Sequence, residues 1–318
     1  MSAAAIGVEQ VISDAGVELR IARDIMPAGA SPVTSLEQTL DSVQRELDAV
    51  RAELDGLRRR DDALRFYTQR LDEELKLAAR LQQDFLPRKL PQVGAVSFNT
   101  LFRPASHVSG DLYDVMRLDE HHVGFYMADA VGHGMPAALL TMFLKQALVT
   151  KEIIPGGYRL LDPSLTMARL NDALVEQNLS HATFATAIYG HIDTRSLEVV
   201  FARGGHPNPL LMTRDGKTRT VTSEGSLLGI FPGEQFGQTK VRLQPGERLF
   251  IYSDGVEFTY GDGESLETGQ WRAELENRAE QSSSQILRDF AEQVDRHNAD
   301  PSRKKDDLTL IVLDVANQ

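Results

Sequence analysis

The chain has 318 residues, 42% hydrophobic and 25% charged, long enough for about two ordinary domains with a sizeable core and too apolar for global disorder. It contains no cysteine, which excludes disulfide scaffolds, zinc-cysteine and iron-sulfur centres, and thiol-nucleophile enzymes such as the cysteine-dependent phosphatases. A net charge of -12 argues against a nucleic-acid partner, because a phosphate backbone calls for a basic face.

Residues 1–33 mix a short alternation, Val17, Leu19 and Ile21, with a Pro-Ala-Gly-Ala-Ser-Pro stretch that reads as a linker. No basic segment leads a continuous apolar run there, and nowhere does the chain keep about 18 uncharged apolar residues together. The expectation is a cytoplasmic protein without membrane insertion.

Residues 34–86 read as one long helix. Thr34 and Glu37 have capping-box spacing. Leu36, Leu40, Val43, Leu47, Val50, Leu54 and Leu57 then follow at alternating steps of four and three, the seam of a coiled coil. The register continues through Leu64, Leu71, Leu75 and Ala78, weakened where Asp61 and Thr68 fall on the seam and Gly56 lies nearby. A helix of that length with an apolar seam needs a partner. The expectation is a homodimer through the coil, with a helix folded back as a hairpin at residues 56–62 as the alternative.

From residue 87 the composition changes to short β-like runs and a few helices, and a globular domain is expected over 87–318. Strands are expected at 96–102, 112–117, 122–127, 183–191, 197–202, 209–213, 218–221, 239–243, 248–252 and 308–315. Helices are expected from Pro136 to Thr150, from Pro163 behind Asp162, and from Ser284 through Val294. Hairpin-linked strands with helices between them suggest an α+β fold with antiparallel sheets.

Four segments deliver aspartates at the ends of β-like runs: Ser109-Gly110-Asp111-Leu112-Tyr113-Asp114, Ala128-Asp129-Ala130-Val131-Gly132-His133-Gly134, Ser253-Asp254-Gly255, and Lys305-Asp306-Asp307-Leu308. One Asp-Gly after a strand is ordinarily a turn. Four carboxylate groups brought to one place would repel unless a cation sat among them. Oxygen donors without cysteine point to Mg²⁺ or Mn²⁺, and two such ions about 3.5–4 Å apart can activate a water and clamp a phosphoryl group.

The ordered set SGDLYD, ADAVGHGMPAALL, FATAIYGHID, ARGGHPNPLLM, LLGIFP, IYSDGVEF and KDDLTLIVL resembles the metal-dependent protein phosphatases (protein phosphatase 2C-like, PPM) in their bacterial RsbU/SpoIIE branch. The likeness covers about residues 78–315, with LAARLQQDFLP as the usual lead-in. It implies two antiparallel β-sheets sandwiched between helices, preceded here by the coiled-coil helix. It also implies hydrolysis of phosphoserine or phosphothreonine in proteins with two Mn²⁺ or Mg²⁺ ions, by a metal-bridged hydroxide. By motif match Asp111 and Asp129 are the catalytic metal ligands, Asp129 bridging, with the Ala130 carbonyl a further ligand. Asp254 and Asp306 complete the second site, and Asp307 ranks behind Asp306.

His133, four residues after Asp129, is open between general acid and turn residue, with the turn favoured. His206 reads as a turn-fixing or rim residue, and His121 and His122 as edge polarity. Where relatives often continue SDG-V-T-E-A, this chain has Glu257-Phe258-Thr259 after Val256. That places the departure in the flap after Asp254, and so in substrate preference. The tract 262–267 reads as an acidic surface loop.

The resemblance implies as substrate a phosphorylated regulatory protein, an anti-sigma-factor antagonist in a partner-switching pathway, with dimer geometry or an N-terminal regulatory partner controlling metal occupancy. The alternatives are a coiled-coil adaptor that binds a phosphoprotein without turnover, and a small-molecule phosphatase.

Overall fold

The structure, a computed structural model, describes residues 32–179, 183–256, 270–300 and 305–317. The segment before residue 32, the flap residues Glu257, Phe258 and Thr259, and the acidic tract 262–267 lie outside the described residues. The chain divides into two units, Met1–Leu71 and Asp72–Gln318.

Helix α1 runs without interruption over Pro32–Asp84. It begins two residues before Thr34, so Thr34 lies within the helix and not at its cap position. Proline suits the first helical turn, where its missing N–H has no intrahelical acceptor. The hairpin alternative is not what forms. Polar residues on the seam are accommodated within the helix: the Thr68 hydroxyl donates to the Leu64 carbonyl at 2.8 Å, and Asp61 pairs with Arg65 at 2.9 Å. In the single chain the seam from Leu36 to Leu57 is exposed, Leu47 at 42% and Leu54 at 45%. Among the described residues no helix is long and apolar enough to cross a membrane.

The second unit is built on two five-stranded antiparallel sheets. The first has the order β1 (Val96–Arg103), β12 (Leu308–Val315), β11 (Arg248–Tyr252), β8 (Leu210–Met212), β9 (Thr218–Thr220). The second has β10 (Gln238–Arg242), β7 (Glu198–Gly204), β6 (Ala185–Asp193), β3 (His122–Ala130), β2 (Asp111–Arg117). Helices α2 (Met135–Ala147) and α3 (Pro163–Glu176) pack on the second sheet, whereas α4 (Gln270–Asn277) and α5 (Ser283–Asn298) pack on the first. The expected α+β sandwich between helices is therefore the architecture observed.

Two elements differ from expectation. Helix α2 stops at Ala147, where Leu148 is extended, and the chain turns into a hairpin of β4 (Lys151–Ile154) and β5 (Gly157–Leu160). β-Branched Ile153 and Ile154, followed by Pro155 and a left-handed Gly156 (φ 87°), favour the hairpin over a longer helix. Helix α4 was not expected. It holds Trp271 against Tyr252 and Phe290, with ring centroids 5.1 and 5.4 Å away.

The alternation of each strand explains both the core and where it ends. Val123, Phe125 and Met127 of β3, Tyr113 and Val115 of β2, Leu249 and Ile251 of β11, and Ile311, Leu313 and Val315 of β12 fill the space between the sheets. With a period of two, the next residues on those faces are Asp129, Asp111, Ser253 and Thr309. The sandwich thus turns from apolar to polar at the same level on four strands.

Candidate metal centre

The register of β2 on β3 sets Asp111 opposite Asp129, and that of β3 on β6 sets Asp129 opposite Thr186. Asp111 is 1% exposed. Its Oδ2 accepts from the Thr309 hydroxyl at 2.6 Å, and its backbone N–H donates to the Ser109 hydroxyl at 3.1 Å. Ala130 ends β3, with its N–H on the Gly110 carbonyl at 3.1 Å.

Two further loops close on this row. Ser253 carries its backbone N–H to the Thr309 carbonyl at 3.0 Å, and its hydroxyl accepts from the Thr309 N–H at 2.9 Å. This fixes the loop that bears Asp254 beside the one that bears Asp306 and Asp307. Gly255 is required there, because a Cβ at that position would fall on the Asp307 carbonyl oxygen. Gly110 is nearly as confined: its Cβ would stand 3.3 Å from both the Ala130 carbonyl and the Ala137 methyl.

Asp307 spends its carboxylate on the backbone, accepting from the Ala105 N–H at 2.7 Å and the Gly110 N–H at 2.6 Å. It therefore acts as a tie between the end of β12 and the loop before Asp111. Asp306 accepts the Asp307 N–H at 2.9 Å.

The electrostatics follow from this crowding. Burial, and then the charges of Asp254, Asp306 and Asp307, push the Asp129 carboxyl up to about 8. Burial, and then the charges of Asp129 and Asp307, push Asp111 well above the carboxylate range, against the Thr309 and Ser253 hydroxyls. Such a set is under strain when ionised and calls for a positive charge. Oxygen donors from carboxylates and a carbonyl fit a hard divalent cation, so the donor chemistry matches Mn²⁺ or Mg²⁺. As they stand, no three acidic or imidazole side chains among the described residues are in ligating geometry.

His133 is exposed in the turn between Gly132 and Gly134, whose φ angles are 93° and 73°. His206 is completely buried and is not a rim residue. Its Nδ1 meets the Thr186 hydroxyl at 2.8 Å, and burial followed by the Arg203 charge lowers its pKa to about 3, so it stays neutral. His122 lies far along β3 from Asp129 and pairs with Asp119 at 2.9 Å.

One contributor to the site has no signature in the sequence. Gln82, near the end of α1 and 2% exposed, donates through Nε2 to the Ser109 carbonyl at 2.7 Å and accepts the Ser109 N–H through Oε1 at 2.9 Å. Both backbone groups of the residue two before Asp111 are thereby held by one side chain. Gln82 stands in the LAARLQQDFLP lead-in, but no pattern of spacing marks it. Thr309, on β12, and Ser253, one residue past the end of β11, are legible in the sequence as polar residues that continue a core-facing alternation.

An α+β sandwich whose inter-sheet core gives way at one end to converging aspartates defines a serine/threonine phosphatase of the protein phosphatase 2C type. The chain belongs to the SpoIIE family: the family model for stage II sporulation protein E matches residues 119–316. That span includes Asp129, Asp254 and Asp306, whereas Asp111 precedes it. The phosphoserine phosphatase RsbU of Bacillus subtilis is 28% identical over 251 residues, 79% of this chain and 72% of RsbU. The phosphoserine phosphatase RsbP of the same organism is 29% identical over 186 residues, 58% of this chain and 45% of RsbP. The fold is shared with the SiaA-PP2C domain of Pseudomonas aeruginosa, with a TM-score of 0.64 at 21% identity, covering 77% of this chain and 97% of that domain.

Proposed function

We propose that this phosphatase removes phosphate from phosphoserine or phosphothreonine on a regulatory protein, an anti-sigma-factor antagonist of a partner-switching pathway. Two similar proteins are named phosphoserine phosphatases, which supports the ester class. The observation that carries the reading is the convergence of aspartates from two paired strands and two loops: Asp111 and Asp129 stand opposite each other on β2 and β3, and the charges of Asp254, Asp306 and Asp307 reach the Asp129 carboxyl and raise it.

Asp111, Asp129, Asp254 and Asp306, with the Ala130 carbonyl, would hold two Mn²⁺ or Mg²⁺ ions. When bound, such ions make water a nucleophile at neutral pH and neutralise phosphoryl charge. The chain's own part is positional. Thr309 aims the Asp111 carboxylate through its hydroxyl, Asp307 fixes the loop before Asp111, and Ser253 joins the loops of Asp254 and Asp306. Residues 87–318 form the phosphatase domain in this reading. Residues 34–86 form the helix through which two copies pair, and residues 1–33 offer a segment for a regulatory partner.

The experiment is phosphate release from a phosphoserine protein with and without Mn²⁺, on wild type and Asp254→Asn side by side. Metal-dependent release that disappears in the variant supports the reading. Silence of the wild type at all Mn²⁺ concentrations overturns it and leaves an adaptor that binds phosphoprotein.

A further inference from the structure

Along β7, Val199 and Phe201 are buried between the sheets. The next residue on that face, two positions on, is Arg203, where the alternation calls for an apolar side chain. A half-buried guanidinium carries a desolvation penalty that is normally offset by a carboxylate. Arg203 has no ion pair among the described residues. Its Nε donates to the Ser223 carbonyl and its Nη1 to the His206 carbonyl, each at 2.6 Å. These two neutral acceptors fix the plane of the group and engage two of its five N–H donors.

The side chain borders a cavity of about 410 Å³ that also has Asp129, Asp254, Thr186 and Asn208 in its wall. Among the described residues lining the cavity, Arg203 is the one lysine or arginine. His206 adds no second charge, since it is buried against the Thr186 hydroxyl.

We propose that Arg203 binds the phosphoryl group of the substrate, contacting its non-bridging oxygens while the ester lies against the aspartate centre. The inference rests on the phosphatase reading above and adds a contact on the strand β7 side of the cavity. A phosphate ester carries nearly two negative charges near neutral pH. A guanidinium held in a fixed plane matches two of its oxygens at once. With cations bound to the aspartates, phosphoryl oxygens would meet positive charge on both sides of the cavity.

Inorganic phosphate, the reaction product, is the probe. In the Mn²⁺-loaded protein, Arg203→Met is expected to weaken inhibition by phosphate and raise KM for a phosphoserine peptide by about ten- to a hundredfold, the worth of one charge-assisted hydrogen bond. The Mn²⁺ half-saturation should stay within about twofold by the same measure, and Arg203→Lys should recover part of the phosphate affinity. Unchanged phosphate inhibition overturns the proposal. So does an Mn²⁺ half-saturation that shifts as far as the phosphate affinity, because Arg203 would then only staple the loop of His206.

Should Arg203→Met fail to fold, phenylglyoxal labelling of the wild type decides. Protection of Arg203 by phosphate supports the assignment, and equal labelling with and without phosphate refutes it. This measurement needs no turnover, so it separates failure of the assignment from failure of the phosphatase reading.

Discussion

Asp111 and Asp129 face each other across neighbouring antiparallel strands, and both carboxyls are raised above their ordinary range. Their proximity is set by the backbone pairing of β2 with β3. Like charges are therefore built into the native fold, and their relief has measurable consequences.

The first concerns pH. The Asp129 carboxyl titrates at about 8 in the folded protein, against an ordinary value of 3.8. The native state thus keeps a proton that the unfolded chain has already released, and stability must fall as pH rises from about 4 through about 8. Each tenfold change in proton affinity between the two states corresponds to about 1.4 kcal/mol, and in a domain of this size each kcal/mol moves the melting midpoint by roughly 2–4 °C. Calorimetry of the metal-free protein should show a midpoint that drops by several degrees between pH 5 and pH 8. Mn²⁺ should reverse the drop, and Asp129→Asn should flatten it while abolishing turnover. A flat wild-type profile would contradict the arrangement.

Gln82→Ala removes both hydrogen bonds to Ser109 and leaves a buried N–H and a buried carbonyl unpaired, at about 1–3 kcal/mol each. The strand end bearing Asp111 loses its clamp. Titrating activity with Mn²⁺ should give a half-saturation raised at least about tenfold, together with a lower melting midpoint. Gln82→Glu retains only the acceptor and should fall between.

Gly255→Ala places a methyl group on the Asp307 carbonyl, so the loops of Asp254 and Asp306 must part. Such a displacement of about 1 Å is enough to reduce rates by about a hundredfold. The expected result is a loss of that order in kcat with far-UV circular dichroism unchanged, because the strain falls on loops and spares the strands.

The exposed seam of α1 gives a fourth test. Sedimentation of the full chain should show a dimer, and Leu47→Asp with Leu54→Asp should yield monomers, since each charge falls on an a/d position. If pairing sets metal occupancy, the double variant should also change turnover at limiting Mn²⁺. Monomers with unaltered turnover would separate pairing from catalysis.

The chain's alternation made most of the fold legible. The strand at 308–315 and the strand at 248–252 coincide with β12 and β11, because each is a run of apolar residues bounded by turns. The aspartates were legible for a related reason: each sits where a run stops. Hairpin β4–β5 is not legible in the sequence because its four-residue strands carry too few positions to display a period, and the apolar pattern of the helix before it runs on towards Thr150. Gln82 and Arg203 were invisible for a different reason. Gln82 acts on Ser109 across 27 positions, and Arg203 takes its meaning from carbonyls at Ser223 and His206. Such partners are supplied by tertiary packing and leave no local trace.

The change from apolar to polar residues at one level of the sandwich has a consequence for folding. Side chains alternate faces along a strand, so sliding β2 by a single residue against β3 would exchange Asp111 for a neighbour and turn its carboxylate out of the sandwich. The same holds for Asp129 and Thr309 on their strands. The aspartate cluster is thus a gauge of register: only a chain with every one of these strands correctly aligned can assemble it. Cations captured there would favour the aligned chain over its slipped competitors, making the metal a selector among folds as well as a participant in chemistry.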